Sequence, residues 1–364
     1  MDERIHEWIK ISLLEGIGEN RLRTLMLTLK DPFLIYERNS DELLKVLPMY
    51  GKIIKQIKET KIDLTEYEKK IHDYNVNVIT ILDQAYPHIL REIANPPPIL
   101  YVRGKFEQDD NLSIAIIGSR FASYYGKKIA ERFTRSLVTM NFTIISGMAR
   151  GIDTIAHQTA LHEGGRTIAF LGSGIDVVYP RENKKLMQLI IGNGAVVSEF
   201  PLGTEPFATN FPQRNRLISG MSLGIVVVEA TLKSGTFTTV KWALEQGKEV
   251  FAIPGDTVRK TSMGSNRLIQ QGAKLVVDVE DIIEEFPFLK RKDYTPPPQP
   301  EKVGLSSKEK AVFDSLKESP LPIDDIIETN ELPSSKVSSI LLSLEIKGLI
   351  QQLPGKRFIR RSIQ

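Results

Sequence analysis

The chain has 364 residues, 41% of them hydrophobic, and a formal charge of +3, so it is long enough to bury a sizeable core in more than one domain. That charge is too small to hold a polyanion by bulk attraction, and any affinity for nucleic acid must come from local clusters of basic side chains. With no cysteine in the chain, disulfides, thiolate zinc sites and cysteine nucleophiles are excluded together.

Charged residues interrupt Met1 to Lys10 where a secretory leader needs an apolar core, and no uncharged apolar run approaches ~18 residues. A cytoplasmic protein with no membrane partner is expected. Residues 1–74 read as a small helical domain, with apolar positions at Ile11, Leu14, Leu22, Leu25 and Leu29, then Leu43, Leu44, Leu47, Ile53, Ile54 and Ile57. Leu14-Glu15-Gly16-Ile17-Gly18 breaks the first set with a tight turn. Helix, Gly-x-Gly hairpin, helix is the outline of a phosphate-contacting motif, and a plain helical corner has the same residues.

From residue 75 to 290 the patterns of strand and helix alternate. Val76 to Thr80 and Ile99 to Val102 read as strands, the second approached through Asn95-Pro96-Pro97-Pro98. Three aliphatic runs then lead straight into glycine turns: Ile114 to Gly118-Ser119-Arg120, Thr143 to Ser146-Gly147 with Arg150-Gly151 behind it, and Thr167 to Gly172-Ser173-Gly174. Further strands are expected at Ala195 to Ser198, Ile225 to Glu229, Val250 to Ile253 and Lys274 to Val277. The fold class is α/β, a Rossmann-like, mostly parallel sheet with helices on both faces. In the helix after the first turn, Ile129, Phe133, Leu137 and Met140 form the apolar stripe, and Lys128, Arg132 and Arg135 a solvated face.

Residues 291–304 form a linker, since Pro296-Pro297-Pro298 favours polyproline geometry and cannot sit inside a helix. Residues 305–364 then read as a winged helix: helices from Ser307 to Lys317, Ile323 to Glu328 and Ser335 to Lys347, followed by a hairpin turning at Pro354-Gly355-Lys356-Arg357. The polar face of the third helix (Lys336, Ser339, Ser343, Lys347) and the basic turn are its candidate contacts.

Each glycine turn places backbone N–H groups and a helix N-terminus at the carboxyl edge of the sheet, an arrangement suited to phosphate. Gly118-Ser119-Arg120 lacks the G-x-G-x-x-G spacing of a dinucleotide fold, and no acidic residue ends a clear second strand to hold a ribose. Arg120 suits an external phosphate, or equally a neighbouring carboxylate. Asp153 and His157, four apart, could serve base or metal chemistry, but no third ligand follows at suitable spacing; Asp153 as a helix-start cap and His157 as a loop-ordering residue is preferred. Lys184 and Lys185 near a helix N-terminus oppose its dipole, a cost that a bound anion removes. Arg214-Asn215-Arg216 beside Phe211 forms a basic cluster with a stacking surface, or a brace for its own loop. Glu229 to Thr236 resembles the Gly-Gly-x-Gly-Thr-x-x-Glu turn of cytokinin-activating phosphoribohydrolases, but Thr239 stands where their catalytic glutamate falls.

Taken in order, Gly118-Ser119-Arg120, Ser146-Gly147-Met-Ala-Arg150-Gly151-Ile152-Asp153 with Ala156-His157, Gly165-Arg166-Thr167, Tyr179-Pro180, Ser198-Glu199-Phe200-Pro201, Phe211-Pro-Gln-Arg214-Asn215-Arg216 and Gly264-Ser-Asn266-Arg267-Leu268-Ile269 resemble the DprA/Smf family over about residues 75 to 285. Ser234-Gly-Thr-Phe-Thr-Thr-Val240 departs from the family's usual Ser-Gly-Ser-Leu and Thr-Ala. The resemblance implies a helix-hairpin-helix or SAM-like N-terminal domain and a C-terminal winged helix. It further implies a homodimer formed through the α/β domain. The implied function is to bind single-stranded DNA entering in natural transformation, protect it and help load the RecA recombinase, with no catalysis and no cofactor. In the family the strand pocket uses the arginine of Gly-Ser-Arg and a lysine of the helix after Tyr-Pro, which match Arg120 and either Lys184 or Lys185. The expected DNA-binding set is therefore Gly118, Ser119, Arg120, Gly147, Arg150, Gly172, Ser173, Gly174, Lys184, Lys185, Arg214, Asn215 and Arg216, with bases turned toward Phe121, Tyr124 or Met187. The rival readings are a nucleotide-binding enzyme related to the phosphoribohydrolases and a regulator that reads DNA through its winged helix.

Overall fold

A computed structural model describes residues 2–287, 305–316, 320–330, 332–347, 349–353 and 355–360. The chain forms two compact units, residues 1–294 and 295–364. The expected linker at 291–304 lies outside the described residues, as do Lys317, Gly348, Pro354 and Arg361.

The first unit opens with six helices, α1 (Glu3–Ser12), α2 (Glu19–Leu29), α3 (Leu34–Glu37), α4 (Ser40–Val46), α5 (Gly51–Glu59) and α6 (Thr65–Asp73). Asp2 caps α1 by accepting from the Arg4 amide at 2.7 Å, and Asn39 caps α4 through the Glu42 amide at 2.8 Å. The Gly16–Gly18 turn falls between α1 and α2, with Gly16 at φ +81°, a conformation glycine adopts without a side-chain clash. Next come β1 (Asn77–Thr80), α7 (His88–Arg91), β2 (Ile99–Gly104), β3 (Ser113–Ile117), α8 (Tyr124–Thr139), β4 (Thr143–Ser146), α9 (Ile152–His162), β5 (Thr167–Phe170), α10 (Lys184–Asn193) and β6 (Gly194–Ser198). The unit finishes with α11 (Asn210–Gly220), β7 (Gly224–Val227), α12 (Thr236–Glu245), β8 (Glu249–Ala252), α13 (Met263–Gln270), β9 (Lys274–Leu275) and α14 (Glu280–Ile283).

These nine strands form one sheet in the order β1-β2-β6-β5-β4-β3-β7-β8-β9. All pairs from β6 to β9 are parallel, whereas β2 runs antiparallel to β6 and β1 antiparallel to β2. Side-chain alternation along each strand builds the two faces. Ala115 and Ile117 of β3, Ile225 and Val227 of β7, and Val250 and Ala252 of β8 join one apolar cluster. Ile114, Ile116, Val226 and Phe251 join the other. On the second face lie α8 and α9, with Phe133 and Leu137 fully buried and Ile129 and Met140 at the margin of the stripe. The opposite side of α8 is a solvated face, where Lys128 meets Glu131 at 2.8 Å and Arg135 meets Glu163 at 2.9 Å.

The first face is covered by α10 to α13 and also by the N-terminal helices. Trp8, Leu25, Met26 and Ile54 belong to the same continuous cluster as Ile168, Val197 and Leu217. The second unit contains α15 (Ser307–Ser315), β10 (Leu321–Pro322), α16 (Ile323–Asn330), α17 (Ser334–Ile346), β11 (Ile350–Leu353) and β12 (Arg357–Arg360). Its sheet has the order β10-β12-β11, adding a short strand to the expected hairpin, and Val312, Ile326, Val337, Leu341 and Leu344 fill its core.

Because the N-terminal helices and the sheet share one core, Leu25→Ala should cost about 2–5 kcal/mol. Urea unfolding followed separately by Trp8 and Trp242 fluorescence, using single-tryptophan variants, should give one coincident transition, since both side chains belong to the first unit.

Candidate nucleic-acid interface

In the sheet order β3 has β4 on one side and β7 on the other, so the chain reverses its direction of winding there, and the helices that follow β3 and β7, α8 and α12, cover opposite faces. Beside this switch point the carboxyl ends of β3, β4 and β5 open into a basin. Its walls are Arg120, Gly147, Ala149, Arg150, Gly172 and Ser173, with Tyr179, Pro180 and Phe211 closing the far side. The three glycine turns singled out in the sequence therefore meet at one place.

Phe211, at the start of α11, is the ring against which the side chains of the basin pack. The Arg120 guanidinium lies 5.5 Å from its ring centroid and that of Arg214 5.8 Å, while Tyr179 packs against it with ring centroids 5.6 Å apart. Gly172 makes room for this ring, since a Cβ there would stand 2.8 Å from the phenyl carbon. Among the described residues, Arg120 is exposed with no carboxylate partner, which removes the alternative of an internal ion pair.

The other arginines differ. Arg214 is 4% exposed and donates to the carbonyls of Gly147 and Phe170, the first at 2.7 Å, and to Asn215 Oδ1 at 3.2 Å. Burial pushes its pKa down to about 10, so it remains a cation at neutral pH. A Cβ on Gly147 would sit 2.8 Å from Arg214 Nη2 and from Asp153 Oδ2, so this glycine admits the brace. Arg216 is also buried and donates to Glu199 and, at 3.0 Å, to Glu19 of α2. The expectation that Arg214 and Arg216 reach a phosphate is thus corrected: the two arginines are a brace, because their hydrogen bonds end on protein carbonyls, the Asn215 amide oxygen and carboxylates, while Asn215 itself is partly exposed beside them. Arg150 lines the basin as expected but forms a two-point pair with Glu182, both groups being about half exposed.

Some turn amides are also occupied. Gly147 N donates to Asp153 Oδ2 at 3.1 Å and Gly174 N to the Thr204 carbonyl at 2.8 Å, so these two are not available to an anion. Among the described residues the amides of Gly172 and Ser173 have no internal partner. The Ser119 hydroxyl accepts from the Phe121 amide and that of Ser173 donates to the Val177 carbonyl, so both order their own turns. Gly118 lies under Ile152, whose Cγ1 would be 2.7 Å from an added Cβ. Lys184 and Lys185 are exposed at the start of α10, outside the basin lining, and Met187 is fully buried, so no base can stack on it.

Asp153 and His157 take structural roles. Asp153 accepts from the Gly147 and Ala149 amides, with burial pushing its carboxyl up and Arg214 pulling it back. His157 Nδ1 donates to Thr167 Oγ1 at 2.7 Å, because that hydroxyl itself donates to the Ile144 carbonyl. Burial lowers the imidazole to about 3, and it is neutral. No cluster of three metal-ligating side chains is present among the described residues. Among them, also, no helix is long and apolar enough to cross a membrane.

In the winged-helix unit, Glu309 accepts from Ser306, from Ser343 at 2.7 Å and from Lys347 at 2.7 Å, which holds its carboxyl down at about 2. Ser343 and Lys347 therefore tie α17 to α15, correcting their place among free contact residues. Lys336 and Ser339 stay exposed.

The fold defines a Rossmann-like α/β protein, with a basin at the carboxyl edge of its sheet, that carries a winged helix in the same chain. A family model described as DNA recombination-mediator protein A matches residues 77–287, and one described as the DprA winged helix domain matches residues 296–356. The chain belongs to the DprA/Smf family. It is 39% identical to protein Smf of Escherichia coli over 77% of this chain and 76% of that one, and 43% identical to DNA processing protein DprA of Streptococcus pneumoniae over 57% and 74%. Among solved structures, DNA processing protein A of S. pneumoniae superposes with a TM-score of 0.66 at 34% identity, covering 78% of this chain and 96% of that one. That of Helicobacter pylori, described for its single-stranded DNA binding mode, gives 0.54 at 29% identity over 61% and 98%.

Two outcomes follow. Arg214→Ala leaves two buried carbonyls unpaired and should lower stability by on the order of 3 kcal/mol in urea titration. Burial, with Glu19 alongside, pushes Glu199 up to about 8 even against Arg216. The folded state then binds the extra proton, so this contribution is full below the ordinary carboxylate pKa and is lost as pH rises through about 8. Glu199→Gln should flatten the fall in urea midpoint across that window.

Proposed function

We propose that this protein binds single-stranded DNA in the Arg120 basin, shields the strand and helps load the RecA recombinase onto it during natural transformation. It acts in the cytoplasm as a homodimer joined through the α/β body, and it makes or breaks no bond. The observation that carries this reading is the free Arg120 guanidinium, held over Phe211 beside the basin-lining Gly172 and Ser173, whose amides have no internal partner among the described residues. A guanidinium fork takes a phosphate in two parallel hydrogen bonds. The amides take a neighbouring phosphate, Lys184 and Lys185 flank the path, and the exposed part of Tyr179 offers a face to a base without reading its identity. The described single-strand binding mode of the H. pylori relative supports the choice of ligand.

The working division of the chain is a helical domain at 1–74, a DNA-binding body at 75–290, a linker at 291–304 and a winged helix at 305–364. A hydrolase would need a free carboxylate near the Ser234–Gly235 turn. Glu229 is instead 1% exposed and accepts from Ser123 and Thr261, and Thr239 is buried within α12.

Fluorescence anisotropy with labelled oligonucleotides tests the reading. Single strands should bind more tightly than duplex, and Arg120→Ala should weaken binding severely, whereas removal of residues after 300 should leave single-strand affinity nearly intact. With about four phosphate contacts at a slope near −0.7 each, affinity should fall roughly fifty-fold between about 50 and 200 mM salt. A flat salt response, or displacement of the strand by a micromolar adenine nucleotide, would refute it.

A further inference from the structure

We propose that the strand does not end at the basin but continues along the carboxyl edge of the sheet over the loops after β7 and β8. There Lys233 and Lys260 receive its phosphates, and Phe121 and Val258 meet its bases. This rests on the reading of the basin as a single-strand site, and it assigns a second stretch of contacts beyond it.

Strands β3, β7 and β8 are adjacent and parallel, so their following loops open on one edge. Two inter-strand spacings put the loop after β8 on the order of 10 Å from that after β3. Buried Glu229 ties the three loops together. It accepts from Ser123 N at 2.9 Å and Ser123 Oγ at 2.5 Å ahead of α8, and from Thr261 Oγ1 at 3.2 Å. Gly126 leaves space for that carboxylate, since a Cβ would stand 2.3 Å from its oxygen. Tyr125 OH donates to the Pro254 carbonyl at 3.0 Å, and Asn266 clamps both the amide and the carbonyl of Gly255 at 3.0 and 2.9 Å. The edge is therefore a fixed surface in register with Arg120.

What this surface presents is unusual. Phe121 is 85% and Val258 84% exposed, two of the three most exposed large hydrophobic side chains among the described residues. Lys233 and Lys260 are exposed with no carboxylate partner among those residues, and the exposed acid of the β8 loop, Asp256, already faces Arg259 at 3.6 Å. Free cations alternating with bare apolar side chains suit an unpaired strand, whose backbone is charged and whose unstacked bases are flat and apolar. Duplex DNA would offer these side chains only its phosphates.

The test compares a labelled oligothymidylate of about six nucleotides with one of about 25, bracketing a single site. For Lys233→Ala/Lys260→Ala, affinity for the long strand should fall about five- to tenfold, and its salt slope should shrink by about 1.4, two contacts at 0.7 each. Affinity for the short strand should not change. Equal loss on both lengths, or no loss on either, overturns the track. So does a changed oligomeric state by sedimentation with DNA affinity preserved, which would make this edge a seam between copies of the chain. Arg120→Ala serves as the separate arm: if it spares both lengths while the lysine variant loses the long strand, the basin reading fails and the track stands.

Discussion

The buried Arg214 guanidinium is the interaction on which the carboxyl edge depends. It holds the ends of β4 and β5 by their carbonyl oxygens and at the same time backs the Phe211 ring from the protein side. A second cation, Arg120, rests over the same ring and faces solvent. One arginine is thus fixed by protein acceptors so that the other can wait without one. Removing a guanidinium from water is costly, and the cost is offset here by charge-dipole bonds in a poorly screened interior. The result is a rigid floor beneath an unsatisfied charge.

The same economy links distant parts of the chain. Arg216, two residues on in α11, reaches Glu199 after β6 and Glu19 at the start of α2, and Gln213 also meets Glu19 at 2.9 Å. The helix that carries Phe211 therefore also anchors the N-terminal hairpin, and the shared apolar cluster fixes those helices against the sheet. Glu199 Oε1 and Arg216 Nη1 have no hydrogen-bond partner among the described residues, and it is burial of this knot, with Glu19 alongside, that pushes the Glu199 carboxyl up.

Much of the architecture was legible from local pattern. Aliphatic runs ending in glycine marked the central parallel strands because such strands are covered on both faces and turn sharply at their carboxyl ends. The same rule put Arg120, Gly172 and Ser173 at the carboxyl edge, and all three line the basin there. What local pattern could not tell was which basic residues face inward. Arg214 and Arg216 look like Arg120 in the sequence, yet their acceptors come from β4, β5, β6 and α2, far away in the chain. The Glu199 that follows a buried strand was the available signal, since a buried carboxyl needs hydrogen-bond donors and an arginine supplies them. Short range also explains Ser343 and Lys347: their acceptor Glu309 belongs to a helix more than thirty residues earlier.

Nine strands in one sheet leave two outer edges, and both are blunted. At one end β1 has four residues and runs antiparallel to its neighbour, and at the other β9 has only two. So short a ladder offers an approaching chain few open hydrogen-bonding groups, and the sheet is a poor template for further strands. Association of this body edge to edge, strand against strand, is therefore disfavoured, and so is growth of its sheet into a fibre.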